Sequence, residues 1–186
     1  MRVISGSARG VRLSSVPQTV RPTADRVRES VFNSLGQFFS GGTVLDLYAG
    51  TGALGIEALS RGCERAVFVE KDRRNAQVIR KNLEATRLLE RAEILAGETK
   101  REVSRLAASG KEFNLIFCDP PYRIARVEVG GIIGFVSDLL AAEGTLVLEA
   151  DESLEDLVGE AELRCGVRKY GGTFITTAWK ESEEGA

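Results

Sequence analysis

From residue 43 onward, short apolar runs alternate with longer mixed segments, the rhythm of buried strands joined by crossover helices. Strands are predicted over residues 43–48, 65–70, 92–95, 113–118 and 145–149, each bounded by glycine, aspartate or a charged cluster. Helical spacing between them predicts helices over 54–61, 73–88, 100–109 and 132–142. Residues 163–169 and 173–179 flank Tyr170-Gly171-Gly172 and read as a closing hairpin, which ends the sheet antiparallel. Ahead of the sheet, Val27, Val31, Phe32 and Leu35 recur at helical spacing over 24–35, with Thr23 placed as an N-cap after Pro22. The predicted class is α/β: seven strands, mostly parallel, with an antiparallel C-terminal hairpin and a short extension before them.

With 186 residues, 43% of them hydrophobic, the chain is long enough for one domain with a sizeable core. No apolar run approaches the ~18 to 20 residues needed to cross a bilayer, and no signal-peptide core follows Met1, so a soluble, cytoplasmic protein is expected. Histidine is absent, which removes Ser-His-Asp and Cys-His nucleophiles, HExxH zinc sites and any imidazole base. Cys63, Cys118 and Cys165 are scattered without a CxxC pair, so neither a disulfide framework nor a metal site is expected. Carboxylates, amides, backbone groups and a bound cofactor are left to carry any chemistry.

Charge is unevenly distributed. Arg2, Arg9, Arg12, Arg21, Arg26 and Arg28 face only Asp25 and Glu29, so the head is basic by about four charges. From Glu143 to Glu162 the acids follow one another without a lysine or arginine between them. An all-arginine set suits bidentate pairing with phosphates; a solvated arm, or arginines paired with nearby acids, is the plainer reading.

Two constellations carry candidate chemistry. The first predicted strand runs into Asp46-Leu47-Tyr48-Ala49-Gly50-Thr51-Gly52-Ala53-Leu54-Gly55, a glycine loop of the kind that opens a helix at the ligand-binding edge of an α/β sheet. Glu70 ends the next strand, about twenty residues on, where an acid can hold two ribose hydroxyls. Those features fit NAD or S-adenosylmethionine. The latter has no phosphate and presents an ammonium and a sulfonium, so Asp46 before the loop favours it. A tight turn needs glycine with or without a ligand, and Glu70-Lys71-Asp72 also fits a solvated strand end.

The second constellation is Asp119-Pro120-Pro121-Tyr122, directly after the apolar run 113–118. The prolines remove two N–H donors and fix two φ angles, turning the local carbonyls and the Asp119 carboxylate into a rigid acceptor cluster suited to an exocyclic amine. Tyr122 adds a face on which a flipped-out base can stack, a contact worth about 1 to 3 kcal/mol. An ordinary Pro-Pro turn with a surface aromatic is the bland alternative.

Asp46 to Gly52 followed by Asp119-Pro120-Pro121-Tyr122 resembles S-adenosylmethionine-dependent methyltransferases of nucleobase amines. The head, with Arg2-Val3-Ile4-Ser5-Gly6, Arg9-Gly10, and Arg21-Pro22-Thr23-Ala24-Asp25-Arg26-Val27-Arg28-Glu29 before Phe32-Asn33, narrows the resemblance to bacterial 16S ribosomal RNA guanine-N2 methyltransferases of the RsmD type. Residues 50–62 continue the match, and 169–173 extend it less closely. The resemblance implies a Rossmann-like class I methyltransferase domain over 36–186, with residues 1–35 as a basic RNA-binding extension packed on it. It implies that Tyr48, Ala49, Gly50, Thr51 and Gly52 wrap the methionine part of the cofactor, that Glu70 holds the ribose hydroxyls, and that Gly97 and Glu98 lie near the adenine, with Asp46 and Lys71 also in the cofactor-binding set. Asp119, Pro120, Pro121 and Tyr122 become the catalytic set, and Arg2, Arg9, Arg12, Arg21, Thr23, Arg26 and Arg28 the RNA-binding set.

The implied reaction methylates N2 of a guanine in small-subunit ribosomal RNA, guanine 966 in the family, with S-adenosylhomocysteine as product. The expected partner is that RNA, free or in a ribosomal particle, and the expected state is a monomer. Residues 123–131 depart from the family pattern and are read as a loop shaping substrate access. Alternatives on the same scaffold are an adenine-N6 or protein glutamine-N5 methyltransferase. An NAD-dependent oxidoreductase leaves the Asp119 motif without a task, and a non-catalytic RNA-binding module leaves both constellations without one.

Overall fold

The computed structural model describes residues 1–15 and 24–181, with only the backbone described for 24–26. It consists of two compact units, Met1–Glu98 and Thr99–Ala186. The basic head therefore shares a unit with the strands that follow it.

In the first unit α1 (Ala24–Leu35) precedes β1 (Thr43–Leu47), α2 (Ala53–Ser60), β2 (Arg65–Glu70), α3 (Arg73–Thr86) and β3 (Ala92–Ala96). β2 is flanked by β1 and β3, both parallel to it. Apolar runs such as Val44-Leu45 and Ala66-Val67-Phe68-Val69 are buried, as strands covered on both faces require. Helix α2 is buried from Gly55 to Ser60. At Gly55 an added Cβ would lie 2.4 Å from the Phe68 ring, so glycine sets the close approach of helix to strand. Helix α3 starts at Asp72, whose carboxylate accepts from the Arg74 N–H at 2.8 Å, a normal acidic N-cap. It ends at Thr86 because Arg87 turns left-handed, φ 60°, two residues short of the predicted end.

In the second unit α4 (Thr99–Ala108), β4 (Phe113–Cys118), α5 (Ala125–Gly130), α6 (Ile133–Leu139), β5 (Leu140–Ala150), α7 (Glu155–Glu160), β6 (Leu163–Tyr170) and β7 (Thr173–Lys180) follow one another. The strand order is β4-β5-β7-β6, with β5 parallel to β4 and antiparallel to β7. The C-terminal hairpin is thus present, its second strand innermost. The helix predicted over 132–142 stops at Leu139, and β5 takes the last three residues of that range. Leu140 pairs with Phe113 across a register irregularity, so strand pairing overrides the helical spacing of Leu139 and Leu140, both fully buried. Residues 123–131, read as a loop, instead form a 3₁₀ turn (Tyr122–Ile124) and α5. Helix α7 has no counterpart among the predicted elements.

Candidate active site

The loop after β1 is held open by backbone conformation. Tyr48, Gly50 and Gly52 all lie at positive φ, 57°, 56° and 77°, the left-handed region that costs a tyrosine about 1 kcal/mol and a glycine little. The Ala49 N–H donates to the Val69 carbonyl at 3.0 Å and the Gly52 N–H to the Ala49 carbonyl at 2.7 Å, anchoring both ends of the turn. Gly52 is the N-cap of α2. Its absent Cβ would sit 3.2 Å from Ile79 of α3, so the loop rests directly on that helix.

Two carboxylates organise this loop. Asp46 is buried, and its Oδ2 accepts from the Gly55 N–H at 2.8 Å. Burial pushes its carboxyl up to about 7, opposed by that hydrogen bond and reinforced by the Glu70 charge. Glu70 Oε2 accepts from the Gly50 N–H and Oε1 from the Asp72 N–H, each at 2.8 Å. A carboxylate offers about four acceptor positions, so Glu70 retains capacity for two hydroxyls while fixing the loop. Residues 46–55 contain no lysine or arginine. Acids facing a glycine turn suit a cationic ligand, and the donor set fits S-adenosylmethionine. Gly97 joins this group through its N–H to the Glu70 carbonyl at 3.1 Å. Lys71 and Glu98 are exposed, outside the hydrogen bonds that shape the loop.

In the second unit Asp119 and Pro120 follow β4, Asp119 half-buried and Pro120 buried. Pro121 takes φ −56° and ψ 125°, and its carbonyl accepts from the Ile124 N–H at 3.0 Å, closing the 3₁₀ turn that carries Tyr122. The Tyr122 hydroxyl donates to Glu149 Oε1 at 2.7 Å and meets Thr173 Oγ1 at 2.8 Å. Burial pushes that phenol up to about 12, with the Thr173 bond lowering it and Glu149 raising it, so the hydroxyl is protonated at any physiological pH. Glu149 near the end of β5 and Thr173 at the start of β7 were not predicted as site residues. Their signal was position alone: a polar residue near the end of one apolar strand and another at the start of the next but one.

Residues 1–15 of the head are docked rather than loose. Arg2 and Arg12 form an antiparallel bridge, and the Ile4 and Ser5 N–H groups donate to the two Glu57 oxygens at 2.8 and 2.9 Å. Ser60 takes the Ala8 N–H on Oγ at 2.9 Å and the Ser7 N–H on its carbonyl at 2.8 Å. Glu57 is also paired with Arg61 at 2.8 Å, both buried. The sequence reading missed Glu57, Ser60 and Arg61, although two polar residues in an otherwise apolar helix and an arginine just past its end were the available clue. Arg2, Arg9 and Arg12 are exposed, and Arg2 Nη1 donates to the Gly10 carbonyl at 2.9 Å. Arg28 is buried and its Nη2 donates to the Arg2 carbonyl at 2.6 Å, which gives it a structural task in holding the head. Arg21 and Thr23 lie outside the described residues, as does the side chain of Arg26. The acidic run is partly neutralised: Arg126 of α5 pairs with Glu152 at 2.9 Å and Asp156 at 2.7 Å.

Residues 1–179 match the family described as Conserved hypothetical protein 95, the RsmD family. The chain belongs to this family. It is 39% identical over 168 residues to ribosomal RNA small subunit methyltransferase D of Escherichia coli (strain K12), covering 87% of this chain and 76% of that one. A solved structure of a hypothetical protein from Thermus thermophilus superposes with a TM-score of 0.82 at 31% identity, covering 96% of this chain and 99% of that one. An S-adenosylmethionine-dependent methyltransferase from Agrobacterium tumefaciens shares the fold at a TM-score of 0.68 and 16% identity, over 87% of this chain and 63% of that one. The RsmD-family chain thus has the class I methyltransferase fold that the resemblance implied. Among the described residues no helix is long and apolar enough to cross a membrane, and no group of histidine, cysteine, aspartate or glutamate side chains is arranged to hold a metal ion.

Proposed function

We propose that this RsmD-family protein methylates the exocyclic N2 amine of a guanine in small-subunit ribosomal RNA, at the position numbered 966, with S-adenosylmethionine as methyl donor. The observation that carries the choice of cofactor is the Asp46–Gly55 hydrogen bond. Gly55 lies in the first turn of α2, so a carboxylate already takes a donor that a pyrophosphate would need. That arrangement favours a cationic ligand and disfavours NAD. The name of the Escherichia coli relative and the tetrapeptide Asp119-Pro120-Pro121-Tyr122 support the choice of acceptor.

When bound, S-adenosylmethionine supplies an electrophilic sulfonium methyl. Tyr48 to Gly52 and Asp46 hold its charged amino-acid end, and Glu70 holds the ribose hydroxyls. Asp119 and the Pro120 carbonyl accept hydrogen bonds from the guanine amine. Those bonds localise a lone pair otherwise delocalised into the ring, and they stabilise the positive charge that grows on nitrogen. Asp119 or water takes the proton afterwards. Tyr122, pinned through its hydroxyl, offers its ring to the extruded base, offsetting part of the few kcal/mol that unstacking costs. Arg2, Arg9 and Arg12 pair with phosphates, giving affinity that falls steeply with salt.

Labelled methyl transfer to in vitro transcribed small-subunit ribosomal RNA, and to particles assembled on it, followed by nucleoside digestion, tests this reading. N2-methylguanosine that disappears with Asp119→Ala is the expected result. Label in N6-methyladenosine overturns the base, and a melting temperature raised by NAD but not by S-adenosylmethionine overturns the cofactor.

A further inference from the structure

Asn82 of α3 is 1% exposed and spends its whole side-chain amide on two distant backbone segments. Its Oδ1 accepts from the Ser14 N–H at 2.7 Å, and its Nδ2 donates to the Ser14 carbonyl at 3.1 Å and to the Thr51 carbonyl at 2.9 Å. Ser14 follows Arg12, which closes the head through its bridge with Arg2. Thr51 lies between the two positive-φ glycines of the cofactor loop. One planar group therefore fixes both segments at once, and neither can shift without breaking bonds to the other's anchor.

The same linkage runs through a neighbouring helix. α2 begins at the loop residue Gly52, and its Glu57 and Ser60 hold the N–H groups of Ile4, Ser5, Ser7 and Ala8. Gly6, at φ 82°, sits so close that an added Cβ would lie 1.8 Å from the Ser60 carbonyl oxygen. The arginine-bearing head is thus suspended from the two helices that frame the loop. If the head detaches, Asn82 loses its Ser14 partners and the Thr51 carbonyl loses a donor held in place by them. A ligand that orders the loop must then favour the docked head, and by thermodynamic reciprocity whatever favours the docked head must favour that ligand.

We infer that Asn82 is a positioning residue coupling occupancy of the cofactor loop to docking of the basic segment 1–15, so that the cofactor-loaded protein presents Arg2, Arg9 and Arg12 in a fixed array to RNA. The inference rests on the proposed function for the identity of both ligands. The coupling itself is readable without RNA.

The test is calorimetric binding of S-adenosylhomocysteine to the full chain, its Asn82→Ala and Ser14→Pro variants and the double variant, with backbone amide exchange of residues 1–15 recorded with and without ligand. Asn82→Ala should weaken binding about fivefold, the equivalent of one lost buried hydrogen bond. Ser14→Pro removes the head N–H that Asn82 accepts and constrains the backbone around it, while leaving the loop sequence unchanged, yet it should weaken binding two- to fivefold, and the double variant should be no worse than Asn82→Ala alone. In the unaltered chain the ligand should slow exchange across 1–15. Saturating S-adenosylhomocysteine should also tighten binding of transcribed small-subunit ribosomal RNA several-fold, and that ratio should fall to about one with Asn82→Ala. Binding with unchanged head exchange, an unaffected Ser14→Pro variant, or additive losses would each overturn the coupling while leaving the proposed function standing. Absence of any S-adenosylhomocysteine binding to the unaltered chain would instead overturn the reading of the loop, and the coupling with it.

Discussion

Replacing Tyr122 separates the two tasks assigned to it. Tyr122→Phe deletes a hydroxyl that donates to Glu149 at 2.7 Å and meets Thr173 at 2.8 Å, but it keeps the ring. A hydrogen bond to a charged acceptor contributes about 1.5 to 3 kcal/mol. Tyr122 is only half-buried, so water can reach the stranded Glu149 carboxylate, and about 1 to 2 kcal/mol is the expected loss of stability by urea denaturation. In steady-state methyl transfer to transcribed ribosomal RNA, the freed ring spends less time in place, and kcat/KM should fall by about tenfold or less. Tyr122→Ala removes the stacking face as well, worth about 1 to 3 kcal/mol, so kcat/KM should drop a further five- to 150-fold. If the two variants share the same kcat/KM, the ring does not stack on the base and the role given to Tyr122 is wrong. If Tyr122→Phe is as stable as the parent, the hydroxyl network contributes nothing.

Asp46 gives the ligand-free protein a characteristic pH dependence. Its folded value of about 7 stands above its ordinary 3.8, so the folded state binds more protons between those limits and stability must fall as pH rises from about 4 to about 7. Asp46→Asn keeps an acceptor for the Gly55 N–H and should flatten that slope. By urea denaturation at pH 8 the gain should approach at most about 4 kcal/mol, and a variant less stable than the parent at pH 8 would refute the assignment. Glu57→Ala strands the Ile4 and Ser5 N–H groups and the buried Arg61 guanidinium; a loss of about 3 to 5 kcal/mol is expected, checked by thermal and urea unfolding. Gly6→Ala drives a Cβ into the Ser60 carbonyl at a left-handed φ, so the head should undock. Amide exchange should accelerate across 1–15 while the strands of the first unit keep their protection.

Much of the architecture was legible along the chain. β2, β4 and α1 fall on their predicted residues, and the C-terminal hairpin is one residue longer on each side than expected. These segments are strongly patterned, and local preference agrees with their tertiary surroundings. The boundary between α6 and β5 was not legible, because Leu139 and Leu140 continue a helical pattern and only pairing with Phe113 makes Leu140 a strand residue. Residues 123–131 were misread for a related reason. A helix as short as α5 has too little sequence to show a period, and Arg126 ties it to Glu152 and Asp156, acids some 30 positions further on.

The candidate site divides along the same line. Asp46, the glycine turn, Glu70 and Asp119-Pro120-Pro121-Tyr122 are each contiguous or at characteristic spacing, because turn conformation and rigid acceptor geometry depend on neighbouring residues. The sequence by itself therefore determined the local devices: a glycine turn lined by acids, a rigid acceptor cluster at Asp119-Pro120-Pro121-Tyr122, and no imidazole. Only the tertiary structure decided which polar residues hold that machinery still. Asn82, Glu57, Ser60, Glu149 and Thr173 work across gaps of 27 to 68 positions, and a hydrogen bond between distant segments leaves no periodic trace in either. It also decided that Arg28 supports the head from inside, since burial depends on what packs over a side chain and not on its charge.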